Sequence, residues 1–114
     1  MKELHNDKVR LLHIYDAIIN IESFTFGIDE KNYLSNTLVQ SAVERQLEII
    51  GEAASFIGNE IKANYKEVEW NKIKAFRNVI AHEYFGVSSK QVWAVVCYEL
   101  PSLKLAVEKI IKEQ

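Results

Sequence analysis

An all-α fold, an up-and-down antiparallel bundle of four to five helices with a kinked last helix, is predicted by three observations. Apolar residues recur at helical spacing through most of the 114 residues. No segment alternates cleanly enough to read as a strand, and neither a repeat nor a low-complexity tract interrupts the pattern. Capping and turn-forming residues divide it at a few definite places.

The first helix is expected from Leu4 to about Phe24, with Leu4, Leu11, Ile14, Tyr15, Ile18 and Ile21 forming much of its buried stripe. Gly27 and Asp29 then supply a turn, EKNYL (30–34) forms one short helical turn, and Ser35 or Asn36 caps the next helix. That helix, TLVQSAVERQLEIIGEAASFI (37–57), carries Leu38, Ala42, Val43, Ile49, Ile50, Ala53 and Ile57. Gly51 and Ala54 leave room on it for close approach by another helix, and Gly58 with Asn59 ends or bends it. A short helix follows at Glu60 to Tyr65, then a third principal helix from Asn71 to about Phe85, stopped near Gly86. Ser88 or Ser89 caps the last helix, in which Pro101 removes a backbone donor and crowds the preceding turn, so that the helix should kink or divide.

A chain of this length with 48% hydrophobic residues can bury one core, and residues 1–114 are read as one domain. Fourteen basic against sixteen acidic side chains leave a net charge of −2, so no broad basic face is offered to nucleic acid and any RNA contact must be local. Cys97 has no cysteine partner and lies in the apolar run VWAVVCYEL, which predicts a buried thiol packing as a small hydrophobe in a reducing compartment. The first residues, MKELHNDKVRLLHIYD, interleave charge with apolar side chains, which predicts neither a signal peptide nor a membrane span and a cytoplasmic location.

FRNVIAHEYFGV (76–87) sets an arginine, a histidine and a tyrosine among apolar residues whose packing does not require them. At 100° per residue Arg77 and Tyr84 nearly align, whereas His82 lies roughly 140° around from Arg77. Convergence then needs the reach of the arginine, distortion of the last turn, or a second protomer facing the first. Chemically, a guanidinium that binds phosphate and an imidazole that moves a proton near neutral pH suffice for cleavage of RNA without a metal. The RNA 2′-hydroxyl attacks the adjacent phosphate, leaving a cyclic phosphate and a 5′-hydroxyl, with His82 as general base or acid.

RNVIAHEYFGV resembles the R-x-x-x-x-H-x-Y signature of the HepT-like branch of the HEPN superfamily. AVERQLEIIGEAA (42–54), EVEWNKIKAFRN (67–78) and VWAVVCYELPSLK (92–104) resemble that family's other stretches in the same order, and the likeness runs from about Leu11 to Ile111. The resemblance implies a helical-bundle ribonuclease toxin of a toxin–antitoxin pair, a homodimer with its two motifs facing each other. It matches Arg77 and His82 to the catalytic pair, Asn78 to the polar position after the arginine, and Tyr84 to the tyrosine that a nucleotidyltransferase antitoxin of the MntA type modifies with AMP. Phosphate charge and bulk added there would occupy the groove that RNA needs.

Arg45, Glu48 and Glu52 lie on the second long helix at i, i+3 and i, i+4 spacing. They form either a solvated face or a support for the site, with Glu52 or Glu48 orienting Arg77 and Arg45 adding a phosphate contact. His5 and His13 read as surface histidines, Trp70 as packed at a helix start and Trp93 as core. No cofactor is implied, and no histidine or cysteine set has metal-ligand spacing. Two other classes of function share the fold: a noncatalytic HEPN module that pairs with a nucleotidyltransferase or binds nucleotides, and a generic helical dimerisation protein. The acidic balance predicts weak general RNA affinity and a shaped substrate such as transfer RNA, with messenger RNA as the other candidate.

Overall fold

The structure is a computed structural model that describes the backbone of residues 2–82 and 88–114 and the side chains of residues 6–81 and 88–114. In chain order it contains α1 (Lys2–Thr25), α2 (Glu30–Leu34), α3 (Thr37–Ser55), α4 (Asn59–Asn64), α5 (Trp70–His82) and α6 (Ser89–Ala94), then a π turn (Val95–Glu99) and α7 (Leu100–Glu113). There is no strand among the described residues, and no helix there is long and apolar enough to cross a membrane. The all-α expectation holds.

Local chemistry sets the boundaries. Gly27 takes φ 73°, the left-handed conformation that suits glycine, and so ends α1. The Asp29 carboxylate accepts from the Asn32 N–H at 2.9 Å, and the Asn36 side chain accepts from the Val39 N–H at 3.0 Å, which caps α2 and α3. Ser88 and Gln91 form a reciprocal capping box at the start of α6.

Packing follows the amphipathic stripes. α1 lies against α3 and α7, and α3 lies against α5. Leu11, Ile14, Ile18 and Ile21 from α1 meet Val43, Leu47 and Ile50 from α3 and Val107 and Ile110 from α7 in a single buried cluster. Tyr33 of α2, fully buried, stacks on Trp93 with ring centroids 4.9 Å apart. Trp70 packs at the start of α5 and donates its indole N–H to the Tyr65 carbonyl at 3.1 Å.

Two expectations fail here. Leu38 is 79% exposed rather than core, because it stands about 140° around α3 from the buried Val43. Cys97 is exposed rather than buried. The cause lies in the π turn, where the Leu100 N–H reaches back five residues to the Val95 carbonyl. The inserted residue absorbs the crowding from Pro101 and rotates Cys97, Tyr98 and Glu99 outward while Val92 and Leu100 stay buried. The expected kink at the proline thus takes the form of a widened turn before it.

α4 begins at Gly58, which has no side chain to cap it. Asp7 of α1, 5% exposed, supplies the missing acceptor: its Oδ1 takes the Gly58 N–H at 3.0 Å. Asp7→Ala should therefore leave a part-buried donor unpaired and lower stability by about 1–3 kcal/mol. In urea this is read as a lower unfolding midpoint with an unchanged slope.

One open apolar groove of about 360 Å³ remains between α5 and the last helices. Leu47 and Ile50 of α3 lie along it with Ile73 and Phe76 on the α5 side and Val95 and Leu103 opposite. At its rim Lys72 pairs with Glu99 at 3.2 Å and reaches Glu69 at 4.0 Å.

Candidate active site

Arg77 stands where α5 packs tightly against Gly51 of α3. A Cβ placed on Gly51 would lie 2.1 Å from the Arg77 Cβ, so only the absent side chain of Gly51 allows the two helices to meet. The approach leaves the Arg77 side chain 29% exposed and buries its Nε, which has no hydrogen-bond partner among the described residues. Its two outer nitrogens are engaged: Nη1 donates to Asn78 Oδ1 at 3.1 Å, and Nη2 lies 3.6 Å from Glu52 Oε2. A guanidinium held at both ends of its fork is set in one plane and keeps an edge for phosphate.

Of the residues singled out in the sequence, the structure brings together Arg77, Asn78 and Glu52. Arg45 stands apart from them. It lies about 120° around α3 from Gly51 and pairs with Glu48 at 3.5 Å on an exposed surface. The backbone of His82 completes α5, while its side chain and the whole of Tyr84 lie outside the described residues. His13 is exposed on α1, and the His5 side chain is outside the described set. Among the described residues no three His, Cys, Asp or Glu side chains gather as a metal site.

Sequence reasoning missed Glu44. It is half-buried on α3, where burial first and the neighbouring Glu48 carboxylate second push its carboxyl above the ordinary range. Across from it the Tyr33 hydroxyl, buried without a partner among the described residues, is pushed up to about 12 by burial and by the charge of Glu44. The Gln40–Glu44–Glu48 spacing was visible, but burial of a charged residue on a polar-looking stretch is set by the helices packed over it.

The family model described as ribonuclease HepT-like matches residues 14–110, nearly the whole bundle including α5. The chain belongs to that family. Among the HepT-like relatives, a Thermococcus cleftensis protein assigned as a ribonuclease HepT is 39% identical over 112 residues, which are 98% of this chain and 100% of that one. Two Methanocaldococcus jannaschii proteins assigned as RNases are 34% identical over 101 residues and 37% identical over 103 residues. Those alignments take in 89% and 90% of this HepT-like chain and 93% and 86% of the relatives. No solved structure matches the chain.

Proposed function

We propose that this HepT-like protein is a metal-independent endoribonuclease and the toxin of a toxin–antitoxin pair. The observation that carries the reading is the Arg77 guanidinium, set by Gly51, Asn78 and Glu52 on the same helix as His82 in a chain of the ribonuclease HepT-like family. Arg77 binds the scissile phosphate and steadies the charge that builds on it. His82 moves the proton of the 2′-hydroxyl or of the leaving 5′-oxygen. The motif of a single chain supplies one imidazole, His82, and two proton transfers are needed, so the active form is a homodimer with the two α5 helices facing one groove. On a chain that is acidic as a whole, the positive charge of the groove comes from the two Arg77 side chains, because Arg45 stands apart and is paired with Glu48.

The partner that silences it is a nucleotidyltransferase antitoxin of the MntA type, which transfers AMP to Tyr84 in the cytoplasm. Tyr84 stands seven residues after Arg77 in the sequence, and a nucleotide on its hydroxyl would add phosphate charge and bulk that compete with RNA for the groove.

The test is cleavage of total RNA by the purified protein in a chelator, beside His82→Ala. Cyclic-phosphate ends that disappear in the variant support the reading. Intact RNA from a protein of unmodified mass overturns it in favour of a noncatalytic binding module.

A further inference from the structure

Positive charge is concentrated on α5. Its 13 residues, WNKIKAFRNVIAH, hold Lys72, Lys74 and Arg77 and no carboxylate, in a chain whose net charge is −2. Two of these cations are engaged: Lys72 pairs with Glu99 and Glu69, and Arg77 with Glu52. Lys74 is exposed and has no ion-pair partner among the described residues. Its charge is not cancelled locally, which is what attraction of an anion requires on an otherwise acidic chain.

Position decides what that charge can reach. At 100° per residue Asn71, Lys74 and Asn78 fall within about 60° of one another, on the side of α5 turned away from Ile73 and Phe76 and their apolar groove. All three are exposed, and Ala75 beside them is exposed and short, so no side chain of α5 covers this strip. Arg77 lies at its edge, about 60° around from Lys74. The Arg77 Nη1 donates to Asn78 Oδ1 at 3.1 Å, which turns the guanidinium along the helix surface toward the strip. Lys74 stands three residues before Arg77 and four before Asn78, the spacing of helical neighbours, with Cβ atoms about 5–6 Å apart. The step between successive phosphates of an RNA strand is of that order, and an ammonium on a flexible four-carbon stem can follow it.

We propose that Lys74 binds the RNA phosphate next to the one held by Arg77, a subsite that lays the strand along α5. The inference rests on the ribonuclease reading for which phosphate is cut, and on RNA binding alone for the contact itself. No bond is made or broken at Lys74. It holds substrate and transition state alike, so Lys74→Ala should raise KM and leave kcat nearly unchanged, unlike loss of Arg77.

The experiment measures binding of bulk transfer RNA over a series of salt concentrations, using the full chain with His82→Ala so that the RNA stays intact. Lys74→Ala puts a good helix former at an exposed position and should fold as the parent does. It is expected to weaken binding about threefold or more at low salt and to flatten the slope of log affinity against log salt by about 0.7–0.9, the share of one phosphate. Lys74→Arg should keep the parent slope. Lys8 of α1, also exposed and without an ion-pair partner among the described residues, is the control, and Lys8→Ala should change neither quantity. A parent slope in Lys74→Ala overturns the inference, and so does an equal loss in Lys8→Ala, the mark of diffuse attraction. If the wild-type protein binds RNA but cleaves none, the ribonuclease reading fails and the slope still decides Lys74. A protein that neither binds nor cleaves RNA overturns both.

Discussion

Arg77→Ala should reduce RNA cleavage by roughly 10²–10³-fold, the scale of removing one fixed donor from developing transition-state charge. Arg77→Lys should recover little of it. A lysine keeps the charge as a point on a flexible stem but lacks the planar fork that Asn78 and Glu52 hold at its two ends. The loss should appear in the cleavage step, with single-turnover rates falling while the unfolding midpoint moves little. A lysine variant as active as wild type would show that charge alone is needed and that the fork is incidental.

Gly51→Ala is expected to damage stability and activity together. Alanine in mid-helix is ordinarily preferred over glycine by about 0.5–1 kcal/mol. At this position its methyl would meet the Arg77 Cβ at 2.1 Å, an atom fixed to the backbone that cannot swing aside. α5 must then move off α3, and overpacking of this kind costs about 1–3 kcal/mol, more than the helix preference returns. Since the contact also sets Arg77, cleavage under folding conditions should fall beyond the fraction unfolded. Denaturant unfolding combined with activity per folded molecule separates the two effects.

Much of the bundle was legible because its signals are local. Asn36 and Ser88 announce helix starts by side chains that accept nearby N–H groups, and Gly27 announces an end by its backbone. The close approach at Gly51 was foreshadowed by a small residue on an otherwise bulky helix, though which residue would fill the space was not. Leu38 and Cys97 were misplaced because apolar composition says nothing of rotation about the helix axis. For Cys97 the rotation depends on a π turn that Pro101 induces several residues away. In the site, Arg77 and Asn78 came from the motif resemblance, and Glu52 from one of two readings of the charges on α3, the one in which it orients Arg77. Glu44 came from neither, since its burial depends on the chain packed over α3, a tertiary fact.

The groove beside α5 gives the Gly51 contact a mechanical meaning. α5 is braced chiefly by α3, with open space between it and the last helices. Gly51 then serves as a fulcrum and α5 as a lever. A tilt of about 10° about that point would carry the backbone at His82, roughly 7.5 Å away, through roughly 1.3 Å. Displacements near 1 Å in a reacting pair cost about 10²-fold in rate. Where His82 stands relative to α3, and to an RNA held at Arg77, is therefore governed by how α5 leans, and the leverage is greatest at the end of the helix that carries the histidine.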